Sequence, residues 1–264
     1  MSSSARRALR ILETVGAAAA PLGVTEIARR LDLPPGTVFR GLDALERSGY
    51  VARYQASSRY VLGAATGRLR QSLFAGFHIR EVCLPYLRQL AFASGETTSL
   101  SVPIGWYAVR VAAAPGTNEV TSSPPLGEVR LLGEGGAAKA ILAFAAADAV
   151  SRFLAWARHS GRRPPAAKAL TAELDDIRRR GFAIERTEFA AGHAALALPI
   201  RDGAQAIAAI AVEGPVLELA RPGYHDDLAR WIEIVQAIEA LVRARPAQFR
   251  NPFQHLDPDA ILLT

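Results

Sequence analysis

The reactive residues of this chain are notable first for what they do not form. The five histidines, His78, His159, His193, His225 and His255, are scattered and keep no metal-ligand spacing. There is no GxSxG turn to raise a serine nucleophile and no HExxH pair to hold zinc. Cys83 is the one cysteine, which excludes an intrachain disulfide and a CxxC-type metal site. The run Gly133-Glu134-Gly135-Gly136-Ala137-Ala138-Lys139 approaches a phosphate loop. That loop needs glycine directly before the lysine and Ser or Thr after it, and Ala138 and Ala140 stand there instead. The run reads as a tight turn into an apolar helix, Ala137 to Ala147. Glu185 and Glu188 lie three apart, on opposite faces of a strand, so they form no acid–base pair. His193, beside Gly192, reads as a pocket residue or as a merely hydrogen-bonded one. No catalytic residue, metal ligand or cofactor is expected.

A different chemistry fits the arginines. Over Pro35 to Ser48, Val38, Leu42 and Leu45 repeat at helical spacing and should face a core. The opposite stripe is Thr37, Arg40, Gly41, Ala44 and Arg47. Small residues would let such a helix lie close to a DNA groove, and arginine is the commonest specific partner of guanine. Charge supports the idea. Residues 1–75 hold eleven arginines against five acidic residues, whereas the remainder has twenty basic and twenty acidic residues. The whole formal excess of +6 therefore sits on the first quarter, where a phosphate-binding surface would use it.

The elements around that helix follow from local signals. Ala8, Leu9, Ile11, Leu12 and Val15 predict a helix from Arg6 to about Ala18; Glu13 interrupts its apolar run and argues against an export signal. Thr25 is the expected N-cap of a second helix, with Ile27, Ala28 and Leu31 facing inward. Asp32-Leu33-Pro34-Pro35 ends that helix, and a proline at the first helical position starts the next. Tyr50–Tyr54 and Arg59–Leu62 predict two strands around a turn flanked by Arg53 and Arg59, candidate phosphate contacts. Pro21 to Leu62 is thus a winged helix-turn-helix by pattern.

Val24-Thr25-Glu26-Ile27-Ala28, Leu33 through Arg40, Gly49-Tyr50-Val51 and the first helix resemble the DNA-binding domain of the IclR family of bacterial transcription regulators. The chain departs at Pro35-Gly36, where the family usually has a basic or polar residue and then serine, and at Phe39, often histidine. With these positions the candidate DNA contacts are Thr25, Pro35, Gly36, Thr37 and Phe39, then Arg40, Gly41, Ala44, Arg47, Arg53 and Arg59.

From Gly63 to about Ser94 the pattern is helical with a bend near Ala75–Phe77, where Phe74 and Phe77 fit either core packing or a pairing of DNA-binding heads. Beyond it the expected order is β-β-α-α-α-β-β-β-α, an α+β domain with an antiparallel sheet flanked by helices. Gly127–Phe144, Arg178–Ala183 and Glu188–Asp202 resemble the GAF-like effector domain of the same family. That resemblance implies a ligand pocket between the sheet and the turn before the Lys139 helix. Carried over by position, its lining is Ser122, Arg130, Gly136 and Ala137, with Glu185, Ala195, Ala197, Val212 and Glu213. Relatives often have cysteine at Ala195 and an apolar residue at Arg130. A buried arginine needs a partner: Glu213 or Glu185, or the carboxylate of a ligand.

The expected organisation is a DNA-binding domain over 1–62, a linker helix over 63–76, an effector-binding domain over 77–245 and a tail over 246–264 that is either disordered or docked on a neighbouring subunit. The expected function is a cytoplasmic, ligand-responsive DNA-binding transcriptional regulator, sensing a small, carboxylate-bearing metabolite. It is expected to bind a palindromic operator in double-stranded DNA as a homodimer or homotetramer. No apolar run is long enough to span a membrane. The alternative is an enzyme acting on a small molecule in the C-terminal part, with an N-terminal nucleic-acid-binding module.

Overall fold

The computed structural model describes residues 3–55, 57–118, 125–162, 165–186, 193–215, 224–249, 251–253 and 257–260. The chain divides into two compact units, Met1–Ala75 and Gly76–Thr264.

In the first unit, α1 (Ser3–Gly16), α2 (Val24–Leu31) and α3 (Pro35–Arg47) surround a core of Ile11, Val15, Ile27, Val38, Leu42 and Leu45. Strands β1 (Leu22–Gly23), β2 (Val51–Arg53) and β3 (Arg59–Leu62) form an antiparallel sheet in the order β1-β3-β2. Tyr60 of β3 is buried in the same core. The α2–α3 turn is tight because Asp32 takes a left-handed conformation, φ 52°, and its N–H closes on Ala28 O. A short polar side chain is among the few that tolerate that region. Pro35 then starts α3, with its preset φ and no N–H to satisfy. Thr25 is not the N-cap: Gly23 holds that position, and Thr25 is exposed one residue inside the helix. Helix α4 (Ala64–Ala75) follows the wing, its start tied by Ala65 N–H to Gly49 O.

The second unit is a six-stranded antiparallel sheet in the order β6-β5-β4-β9-β8-β7. Its strands are β4 (Thr97–Ile104), β5 (Tyr107–Ala114), β6 (Val129–Leu131), β7 (Ala183–Arg186), β8 (His193–Asp202) and β9 (Gln205–Pro215). Helices α6 (Gly136–Ala143), α7 (Ala149–His159) and α8 (Ala167–Arg180) share one core with Ala197, Ala209 and Ala211 of the sheet. Helix α5 (His78–Ser94) packs on β4 and β5, and α9 (Tyr224–Ala244) packs on β8. The face under α6 is built from alanines, so the helix sits close to the strands: a Cβ on Gly136 would lie 3.6 Å from Ala197 Cβ. Leu196, Leu198, Ile210 and Val212 have the opposite parity and point away from α6.

Strand β6 escaped the sequence reading because it is three residues long with an arginine at its centre. Helix α6 ends at Ala143, short of the expected Ala147. The described part of the tail packs on its own unit. Trp106 Nε1 donates to Asp259 Oδ1 at 2.6 Å, Asn251 Nδ2 donates to Pro103 O, and Phe253 lies against Phe77 with ring centroids 5.6 Å apart.

Candidate DNA-reading face and effector pocket

Helix α3 buries Val38, Leu42 and Leu45 and presents Gly36, Phe39, Arg40, Ala44 and Arg47 to solvent. Phe39 is 50% exposed, unusual for a large aromatic that has no packing role. Arg40 reaches back to Thr37 Oγ1 at 3.4 Å, and Arg47 pairs with Asp43 at 3.0 Å. Asp43 was missing from the expected face, although its spacing of four from Arg47 is the signature of a helical ion pair. Gly41 does not belong there. A Cβ on it would come within 2.5 Å of Ile11 Cδ1, so its face is the α1 crossing and its smallness serves helix packing. The exposed stripe is thus rotated from the expected one, toward Phe39 and Asp43.

The wing arginines are tethered. Arg53 pairs with Glu46 of α3 at 3.2 Å and lies over the Tyr60 ring. Arg59 Nη1 donates to Pro21 O at 2.8 Å and lies 3.9 Å from Glu26. Both remain about half exposed, and such pairs are weak enough in water to exchange for phosphate. Pro35 and Thr25 are exposed at the first turns of their helices.

In the second unit, a cavity of about 60 Å³ opens between the sheet and the N-terminus of α6. Arg130, Gly136, Ala137, Glu185, Ala195 and Glu213, all named above, line it. Two expected residues do not. Val212 points to the other face of β9, where the strand's alternation sends it, and Ala211 and Glu213 line the cavity in its place. Ala197 is fully buried beneath α6. Ser122 lies outside the described residues.

The charges there form a chain. Arg130 Nε donates to Glu128 Oε1 at 2.9 Å, so among the described residues its carboxylate partner is Glu128 rather than the expected Glu213 or Glu185. Glu185 instead accepts from Gly136 N–H at 2.5 Å, a carboxylate on the positive end of α6. Gly135, at φ 82°, makes that turn possible and leaves 3.2 Å between any Cβ and Arg130 Cδ. Glu213 is held by Arg110 Nη2 at 3.0 Å and by the Ser99 hydroxyl at 2.6 Å. Arg110, absent from the expected lining, is the centre of the cluster. Its side chain is 8% exposed, it also lies 3.1 Å from Glu128, and its Nε and Nη1 have no acceptor among the described residues. The signal for it was present: a lone arginine inside the apolar run Tyr107–Ala114 is a charge that must be paired if the strand is central. A larger cavity, about 310 Å³, lies by the tail among Trp106, Ile141, Phe249 and Phe253. Its walls carry no buried polar atom without a partner among the described residues.

Residues 4–54 match the IclR helix-turn-helix domain, and residues 71–240 match the family described as bacterial transcriptional regulator IclR C-terminal. The chain belongs to the IclR family of bacterial transcriptional regulators. This IclR-family regulator is 31% identical over 218 residues to the HTH-type transcriptional regulator BhcR of Paracoccus denitrificans, covering 81% of this chain and 78% of that one. It is 32% identical over 225 residues to the glycerol operon regulatory protein of Streptomyces griseus, covering 83% and 87%. Its fold matches that of an IclR homolog from Microbacterium hydrocarbonoxydans complexed with 4-hydroxybenzoate, at TM-score 0.74 and 21% identity over 92% of this chain and 100% of the other. The Thermotoga maritima IclR structure matches at TM-score 0.69 and 20% identity, over 93% and 99%. The α+β architecture of helix-turn-helix unit and sheet-and-helix unit is that of the family, and the protein is a ligand-responsive DNA-binding transcriptional regulator. Among the described residues no helix is long and apolar enough to cross a membrane.

Proposed function

We propose that this regulator reads a roughly palindromic operator with α3 and the β2–β3 wing, as a dimer or a dimer of dimers, and acts on DNA in the cytoplasm. Residues 1–62 are the DNA-binding domain, 63–76 the linker, 77–245 the effector-binding domain and 246–264 the tail. The observation that carries the reading is the division of α3 into two faces. One is locked on α1 through Gly41 and Ile11, and the other exposes Phe39, Arg40 and Arg47 to solvent. Two-fold symmetry of the protein would match two half-sites. Arg40, whose guanidinium makes only a long contact to Thr37 Oγ1 among the described residues, is the residue best placed to leave for a base edge. Arg53 and Arg59 position the backbone.

The effector binds at the Arg110 cluster and shifts operator affinity by favouring one arrangement of the DNA-binding heads over another. The two Arg110 nitrogens without acceptors, Nε and Nη1, call for oxygen atoms on that effector. A carboxylate, expected from the sequence and present on the 4-hydroxybenzoate of the Microbacterium homolog, is one source of them. The protein turns over no substrate in this reading and needs no cofactor.

Arg40→Ala tests the DNA face. Binding to an operator selected from random duplexes should fall about ten- to a hundredfold, with relaxed preference at one base position of each half-site. Undiminished sequence-specific binding would show that α3 is not the reading helix.

A further inference from the structure

We infer that the effector of this chain is a small neutral molecule with adjacent hydroxyl groups, a short polyol, rather than a carboxylate. The inference rests on the reading of the Arg110 cavity as the effector site.

The polar atoms define the complement. Arg110 Nε and Nη1 are buried donors without acceptors among the described residues, on a side chain more than nine-tenths buried. Glu128 Oε2 is a buried acceptor that makes no hydrogen bond, although it stands 3.1 Å from Arg110 Nη2. A guanidinium only donates and a carboxylate only accepts. A ligand that satisfies both must therefore accept and donate at neighbouring atoms. A pair of vicinal hydroxyls does so, since each carries one proton and two lone pairs. A ligand carboxylate serves Arg110 and has no proton to offer Glu128 Oε2.

Charge points the same way. Arg110 and Arg130 face Glu128, Glu185 and Glu213, so the described residues of the lining carry a formal charge of −1. Both guanidiniums already hold carboxylates, Arg110 those of Glu213 and Glu128 and Arg130 that of Glu128. A carboxylate ligand would add a second excess negative charge where solvent screens it poorly. A neutral polyol adds none. Size agrees: a cavity of about 60 Å³ has room for roughly four to six water-sized atoms, the scale of a three-carbon triol.

Glycerol and glycerate share a skeleton and differ by one carboxylate, so they make a matched pair of probes. Each is titrated into the full-length protein by calorimetry, and operator affinity is followed by fluorescence anisotropy. Glycerol should bind at least roughly tenfold more tightly than glycerate and change operator affinity. Glu128→Gln, which removes one negative charge and keeps the shape, should raise glycerate affinity by roughly tenfold and so narrow the gap. Tighter binding of glycerate to the wild type, abolished by Arg110→Met, overturns the polyol but keeps the effector site. Binding of either probe that survives Arg110→Met and leaves operator affinity unchanged overturns the site itself. Absence of binding by both probes at millimolar concentration overturns the polyol. If Arg110→Met does not fold, the shift in selectivity on Glu128→Gln decides between the readings.

Discussion

Arg110→Met is the substitution from which the second unit learns most about its own stability. Methionine keeps the length and apolar stem of arginine and removes the charge. Breaking a buried ion pair by deleting one partner costs about 3–5 kcal/mol, because the survivor is left charged in a poor solvent. Here two survivors are partly provided for. Glu128 keeps Arg130, and Glu213 keeps the Ser99 hydroxyl at 2.6 Å. The lower end, about 3 kcal/mol, is therefore the expected cost. For a unit of this size that corresponds to a fall in Tm of about 6–12 °C. Differential scanning calorimetry of the full-length protein would follow the transition of the larger unit. Adding Glu213→Gln removes the stranded carboxylate, and the double variant should recover about 2 kcal/mol relative to the sum of the single changes. The reasoning fails if Arg110→Met lowers Tm by less than about 2 °C, or if the two substitutions are simply additive. Either result would mean that water reaches the cluster freely and that Arg110 is not a buried charge in any energetic sense.

The helix crossing in the first unit gives a paired test. Gly41→Val should destabilise that unit by about 1–3 kcal/mol in urea denaturation, since its first carbon already meets Ile11. Gly36→Ala, whose nearest neighbour is Arg40 Nη1 at 3.9 Å, should instead be neutral or stabilise by up to about 1 kcal/mol. Equal effects would place Gly41 on the open face after all. Cys83 supplies a pH test. Burial pushes its thiol from 9.0 up to about 12, so the native state keeps its proton after the unfolded chain has lost it. Its contribution is intact below pH 9 and is lost between pH 9 and about 12, at up to about 1.4 kcal/mol per pH unit. Cys83→Ala should flatten the fall in stability over that window; an unchanged slope would remove Cys83 from it.

The helices of the first unit were legible because their cores repeat at helical spacing, as Val38, Leu42 and Leu45 do in α3. Glycine marked helix ends, as Gly181 does with φ 84° after α8. What escaped was whatever depends on a partner distant in sequence. Helical spacing put Gly41 on the same side as Arg40, but only the position of α1 decides that Gly41 is contact rather than opening. Strand parity is a two-state choice, and transferring Val212 by position chose the wrong state. Strand β6 has too few residues to show a period, yet its pairing with β5 places Arg130 opposite Ala108 and brings Glu128 to Arg110. The identity of Arg130's partner could not be read from charge alone, since three glutamates compete and geometry selects one. Arg110 is the single charge in the run Tyr107–Ala114, and only the central place of that strand in the sheet makes it a buried one.

The alanine lining of the cavity has an evolutionary consequence. Ala108, Ala137, Ala138, Ala195 and Ala211 form much of its wall. Alanine is the smallest side chain short of none, so nearly every point mutation at these places makes the chamber narrower. Descendants of this protein can therefore become choosier in one genetic step, by installing a methyl or a hydroxyl that excludes the bulkier of two effectors. At these alanine positions becoming more permissive has no such short route, because it would require α6 to lift from the strands it lies on. Variation at the wall is thus a ratchet toward smaller effectors, and wider appetites must be acquired elsewhere in the fold.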